Sequence, residues 1–156
     1  MTVRLPPFQA LLDEHRVEVL RFLTALAGPQ DAEDCFQETF LAALRAYPKL
    51  RDASNLRGWL LTIAHRKAMD HHRSRVRRPE PVGEIPEGAG DHVPEAEPAL
   101  WDAVRALPPR QRTAIVARYV GDLSYREVAS IAGGSEEAAR RNAADGLATL
   151  REAWGG

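Results

Sequence analysis

Between residues 65 and 78, Arg66, Lys67, Arg73, Arg75, Arg77 and Arg78 stand against one acid, Asp70. Side chains of that kind and density neutralise phosphates, so this stretch is built to attract a polyanion. A second set is consecutive: Arg140, Arg141 and Asn142. An arginine fork fits a guanine edge, an asparagine amide fits an adenine edge, and both bond phosphate oxygens. Taken alone, the same three residues also fit a plain solvated helix face with two arginines, and both readings stand at this point. The other reactive types point away from chemistry. His65, His71 and His72 share one stretch, but adjacent helical positions diverge by about 100°, and no second ligand cluster has zinc spacing. No metal or cofactor is expected. His15 falls on an apolar stripe and is read as a hydrogen-bonded core histidine. Cys35, the one cysteine, has Asp34 before it and Glu38 three residues on, and such neighbours disfavour a thiolate. A nucleophile elbow, a phosphate loop and a carboxylate pair are all lacking. No catalytic residue is assigned and the chain is not read as an enzyme.

The elements that must position these residues are helical. Ala, Leu, Arg and Glu dominate the 156 residues, while Ile, Val, Thr and aromatics are sparse, which favours helix over sheet. Phe8, Leu12, His15, Val19, Phe22 and Leu26 form the stripe of a helix opened by Pro6-Pro7 and closed by Gly28-Pro29. In a second helix Asp31 is expected as the N-cap, with Phe36, Phe40, Ala43 and Tyr47 as its buried row and Pro48 as its stop. The third begins near Asn55, carries Leu56, Trp59, Leu60 and Ile63 inward, and turns basic from His65 onward. Trp59 could serve as a stacking platform, but its place in the apolar row favours packing.

Beyond these, Leu100, Trp101, Val104 and Leu107 form a short helix stopped by Pro108-Pro109. Arg110 to Val120 form another, with Ile115, Val116 and Tyr119 expected inward. Ser124-Tyr125-Arg126-Glu127 has capping-box spacing. The helix it opens carries Val128 and Ile131 and ends at Gly133-Gly134. Ser135 caps a last helix with Ala139, Ala143, Leu147, Leu150 and Trp154 on one face. A short helix, a glycine turn and a longer helix make a helix-turn-helix pattern.

Charge divides the chain. Residues 1–78 hold 13 Lys and Arg against 9 Asp and Glu, residues 79–99 hold none against 6, and residues 100–156 hold 8 against 7. Pro79 to Pro98 contains five prolines and three glycines with few large apolar side chains, so it cannot bury enough surface to offset its ordering entropy. The expected fold class is therefore all-α: two small helical domains, 1–78 and 99–156, joined by a flexible acidic linker over 79–98. The N-terminus lacks a signal-peptide layout, and no apolar run nears the roughly 18 residues that cross a bilayer. A cytoplasmic location without membrane insertion is expected.

Four segments, in order, carry a family resemblance. Asp31-Ala32-Glu33-Asp34-Cys35-Phe36-Gln37-Glu38-Thr39-Phe40-Leu41 and Leu56-Arg57-Gly58-Trp59-Leu60-Leu61-Thr62-Ile63-Ala64 resemble the region 2 signatures of extracytoplasmic-function RNA polymerase sigma factors. Leu107-Pro108-Pro109-Arg110-Gln111-Arg112 and Leu123-Ser124-Tyr125-Arg126-Glu127-Val128-Ala129 resemble their region 4 signatures. The resemblance implies a factor that directs bacterial RNA polymerase to promoters and assists DNA melting. The partners it implies are core polymerase (β′ clamp helices and β flap) and promoter DNA, with an anti-sigma factor as a further candidate. By position, Asp34, Gln37, Glu38 and Phe40 would touch the polymerase, although Phe40 also fits the core. Asn55, Arg57, Arg66, Lys67, Arg73, Arg75, Arg77 and Arg78 would meet the minus-ten element. Ser135, Glu136, Arg140, Arg141 and Asn142 would meet the minus-thirty-five element. The linker is either a mimic of nucleic acid inside the polymerase or a soluble tether.

The last helix departs from the family pattern. Where arginines are usual, positions 142, 145 and 147 hold Asn, Asp and Leu. An Asp facing phosphate repels it, so minus-thirty-five binding is expected to be weak, unusually specific or partly replaced by a protein contact, with a shallow salt dependence. Gly146 inside that helix is expected to cost about 1 kcal/mol against Ala. Two rival functions remain at this level: a helix-turn-helix regulator that dimerises through its first half, and a sigma-like interaction protein without initiation activity.

Overall fold

Proline and glycine set most of the helix ends. The computed structural model describes residues 5–77 and 98–153, and every regular element among them is helical. Helices α1 (Phe8–Ala27), α2 (Pro29–Ala46) and α3 (Leu56–Arg77) form one compact unit. Helices α4 (Pro98–Ala106), α5 (Pro109–Ile115), α6 (Tyr125–Ala132) and α7 (Glu136–Ala153) form another. Of the stretch assigned to the linker, Pro98 opens α4 and the remainder lies outside the described residues.

In the first unit the Pro7 carbonyl accepts from the Ala10 and Leu11 amides at 2.9 and 3.2 Å. Helix α1 ends at Gly28, whose carbonyl in turn accepts the Ala32 amide at 3.0 Å and starts α2. Asp31, expected as the cap, therefore lies inside the first turn. Pro29 at the first helical position explains the shift, since its missing N–H would have had no partner there. The buried face of α1 is also broader than a single stripe, because α1 packs on both α2 and α3. Leu11 is buried while Leu12 is only half-buried. Phe22, Leu23, Leu60 and Leu61 fill the centre with Cys35 and Thr39, and the Thr39 hydroxyl donates to the Cys35 carbonyl at 2.6 Å. At one end Phe8 meets Phe40 and Tyr47 edge-on, with centroids 6.3 and 5.3 Å apart. Tyr47 reaches Trp59 at 6.1 Å and donates its hydroxyl to the Pro6 carbonyl. Half-buried Trp59 thus packs on the aromatic cluster.

In the second unit, α5 does not run on as α-helix to Val120. Residues Val116–Val120 form a π turn in which the Gly121 amide bonds the Val116 carbonyl, five residues back, at 2.9 Å. Such a turn is wound more widely than an α-helix, which shifts the direction of the side chains within it, and Tyr119, expected inward, is 56% exposed. The capping box forms: the Glu127 amide donates to Ser124 Oγ at 3.2 Å and the Ser124 amide to Glu127 Oε1 at 3.1 Å. Gly133 and Gly134 take φ of +82° and +99°, which side chains with a Cβ rarely adopt, and they make the tight turn into α7. Ser135 Oγ accepts the Ala138 amide at 3.0 Å. Val128 is buried, whereas Ile131 is half-buried. On α7, Ala139, Ala143, Gly146 and Leu150 are buried, Leu147 is half-buried, and Trp154 lies outside the described residues.

Gly146 has a packing role beyond its cost in helix propensity. A Cβ there would stand 2.8 Å from Ile115 Cγ1 and 3.2 Å from its Cδ1. The glycine lets α7 close onto α5, and a side chain there would require Ile115 to shift.

Candidate polymerase-docking and nucleic-acid interfaces

Helix α2 buries Ala32, Cys35, Thr39 and Ala43, which turns Asp34, Gln37 and Glu38 outward into solvent. These three expected contacts share one face. Phe40 is 8% exposed and packs on Phe36 at 4.7 Å, supporting that face from beneath. Sequence reasoning did not assign Leu41 and Leu44, which are 53% and 50% exposed. Leu41 lies seven residues after Asp34 and three after Glu38, on the same side of the helix. That spacing was the available signal, and the leucine type concealed it by suggesting core. The result is an apolar centre bordered by acids and an amide. Below it Cys35 is buried, and burial, then the charges of Asp31, Glu38 and Asp34, push its thiol up to about 12.

The residues expected at the minus-ten element divide into two groups. Asn55 caps α3, accepting the Gly58 amide on Oδ1 at 3.0 Å. Arg57 pairs with Glu18 of α1, and Glu18 is also 3.2 Å from His15 Nδ1. Burial pushes the Glu18 carboxyl up, but the bonds and charges of Arg57 and His15 outweigh it and leave it below the ordinary value. Both Asn55 and Arg57 are therefore engaged by the fold. Farther along α3, Arg66 and Arg73 are exposed on one side, with Asp70 between them and paired to Arg73. Lys67 is half-buried. Arg75 and Arg77 lie on the described backbone of α3, and Arg78 lies outside the described residues. His71 reaches back to Asp31 of α2 at 3.3 Å, tying the basic end of α3 to the bundle.

His65 is held down to about 4 by burial and by the charge of Arg66. Its folded value lies below the usual 6.5, so the unfolded chain takes up the proton first as the medium acidifies. Stability is then full above about pH 6.5 and declines down to about pH 4, where both states are protonated. The expected result is a midpoint of thermal unfolding for the first unit that falls across this window. His65→Gln should flatten the decline, and an unchanged pH profile in that variant would remove His65 as its cause.

In the second unit the helix-turn-helix places Ser135, Glu136, Arg140 and Arg141 in exposed positions at the start of α7, with Asn142 half-buried. Ser135 is used as the cap. Glu136 Oε1 accepts from Arg140 at 2.7 Å, and the Arg140 guanidinium sits 5.4 Å from the centre of the Tyr125 ring. Asp145 is exposed. On a different side, Trp101, Val104, Ile115, Tyr119, Leu147 and Leu150 are among the residues lining an apolar groove of about 360 Å³.

Two family descriptions match this arrangement, "Sigma-70 region 2" over residues 11–78 and "Sigma-70, region 4" over residues 98–150. The RNA polymerase sigma factor CarQ of Myxococcus xanthus is 31% identical over 95% of the chain and 89% of its own length. The chain belongs to the sigma-70 family. Within it, this sigma factor is of the extracytoplasmic-function class. The class member BldN of Streptomyces coelicolor is 33% identical over 84% of the chain, which spans 54% of that relative's length. Among solved structures, the sigma factor RpoE of Bartonella quintana, in complex with the anti-sigma factor NepR, superposes with a TM-score of 0.74 at 22% identity, covering 92% of this chain and 96% of that one. CnrH in complex with the cytosolic domain of CnrY gives 0.68 at 22% identity, over 94% and 86%. At that identity the two structures establish the fold alone.

Proposed function

We propose that this sigma factor docks on core RNA polymerase through the outer face of α2 and carries it to promoters that α3 and α7 recognise. Residues 1–78 form the docking and minus-ten module, 79–98 the tether and 99–156 the minus-thirty-five module. The observation that carries this reading is the solvent face formed by Asp34, Gln37, Glu38, Leu41 and Leu44. Two large apolar side chains ringed by polar ones on an otherwise charged helix have the make-up of a protein interface. Arg66 and Arg73 on the exposed side of α3, with Lys67 beside them, supply the phosphate attraction, and melting follows from holding strand bases away from the stack.

On α7, Arg141 faces solvent and Arg140 flanks it, while Asn142 lies at the edge of the buried face. Asp145 limits the phosphate contact. The apolar groove of the second unit offers a seat for the β flap. The chain works by binding energy, without a catalytic group, in the cytoplasm where polymerase and DNA meet. An anti-sigma factor as a further partner is supported by RpoE and CnrH, whose structures hold NepR and CnrY.

The test is transcription reconstituted from core polymerase and this chain on genomic template, with transcript starts mapped. The expected result is a small set of starts that share upstream elements and vanish without the chain. Starts identical with and without it would contradict the proposal.

A further inference from the structure

We infer that Tyr125 is a positioning residue that holds Arg140 in the orientation used for promoter reading; this rests on the assignment of α7 as the helix that meets the minus-thirty-five element. Tyr125 is the first residue of α6, immediately after the capping Ser124, so its backbone is fixed by the reciprocal bonds of the capping box. Two guanidinium groups lie against its ring, Arg118 at 5.1 Å and Arg140 at 5.4 Å from the centroid. Arg118 is itself pinned, donating to the Leu123 carbonyl at 3.1 Å. Arg140 is anchored a second time by Glu136, one turn earlier on its own helix, at 2.7 Å. The series Leu123, Arg118, Tyr125, Arg140 and Glu136 thus links the loop before the helix-turn-helix to the start of the reading helix.

The geometry suits a reader. A cation against an aromatic ring is held by its face, and the carboxylate of Glu136 takes one of the guanidinium's five N–H donors. The remaining in-plane donors stay available for the paired acceptors of a guanine edge. A long arginine side chain that is free in solution loses rotamer freedom when it binds. One already held loses less, and this advantage exists only for the orientation in which it is held. The consequence concerns discrimination between bases more than overall affinity. Arg141, also exposed, has no ring contact among the described residues and is left to general phosphate attraction.

The experiment uses holoenzyme assembled from core polymerase and the full chain, selected on a promoter library randomised across the minus-thirty-five element. Arg140→Ala, Tyr125→Leu, Tyr125→Phe and the Arg140→Ala/Tyr125→Leu double variant are compared, with core affinity and thermal midpoints recorded for each. Tyr125→Leu is expected to reduce the preference between best and worst bases by about fivefold. Tyr125→Phe, which keeps the ring, should retain it, and the double variant should be no worse than Arg140→Ala. Tyr125→Met serves the same comparison if the leucine variant does not fold. Loss of preference in Arg140→Ala but not in Tyr125→Leu would overturn the inference and leave the assignment of α7 intact. A uniform drop on every library member would also overturn it, by making Tyr125 merely structural. No change in Arg140→Ala would remove the reading role of Arg140 itself, and the inference with it.

Discussion

Replacing Leu41 by Asp is expected to weaken binding to core polymerase by about thirtyfold or more, while the thermal midpoint stays within a few degrees of the parent. The asymmetry arises from exposure. Leu41 is 53% exposed and Leu44 50%, so neither contributes much to the bundle, and substitutions at such positions usually change stability by less than about 0.5 kcal/mol. At an interface the same leucine would lose its water. Fully burying a leucine side chain is worth about 1.5 to 3 kcal/mol, and a factor of thirty corresponds to about 2 kcal/mol. Aspartate adds the desolvation of an unpaired charge beside Asp34 and Glu38. Gln37→Ala with Glu38→Ala should act in the same direction but less strongly, because polar groups at the border stay partly hydrated. Titration of labelled protein against core polymerase checks both. If Leu41→Asp binds as tightly as the parent, the outer face of α2 is not the docking surface.

The second large effect is a loss of stability at a position where helix propensity alone predicts a gain. Gly146→Ala is expected to destabilise the second unit by about 1 kcal/mol, because overpacking a closed contact costs about 1 to 3 kcal/mol and outweighs the propensity gain of about 1. The obstacle is Ile115 Cγ1, 2.8 Å from where the new Cβ would stand. Ile115 is 5% exposed and lies on α5, and Cγ1, next to its backbone, can yield only by turning the side chain out of its packed position toward the apolar groove that it lines. Ile115→Ala alone should be costly, but its effect should shrink in the Gly146→Ala background, since the added methyl occupies part of the space vacated. Denaturant melts of the four proteins check this. A stabilised Gly146→Ala would show that α7 can move away from α5 at no loss.

Local rules recovered much of this architecture, and long-range packing accounts for what they missed. The Ser124-Glu127 box and the Gly133-Gly134 turn form as their residue types require, because each is settled within a few positions of chain. The π turn at Val116–Val120 has no comparable local mark, and with it the outward position of Tyr119 was lost. Arg57 and Glu18 are far apart in sequence, so their pairing could not be read from spacing. Gly146 looked like a defect because the cost of a glycine is local while the reason for it lies on another helix. Leu41 and Leu44 were hidden by type: an apolar residue on a helix is expected inside, and only the packed bundle shows which side of α2 remained uncovered. The candidate contacts on α2 were placed by resemblance, whereas the basic run of α3 and Arg140, Arg141 and Asn142 on α7 were first marked by residue type and by the helix-turn-helix pattern. The structure then distinguishes those left at the surface, such as Gln37, Glu38 and Arg141, from those the fold engages, such as Arg57 and Phe40, while Asn55 is exposed and also caps α3.

The most direct measurement is the equilibrium affinity of the purified full chain for core RNA polymerase at low ionic strength, with no inhibitory protein present. The account predicts saturable one-to-one binding that competes with another sigma factor for the same core. Absence of saturable binding under those conditions would contradict it.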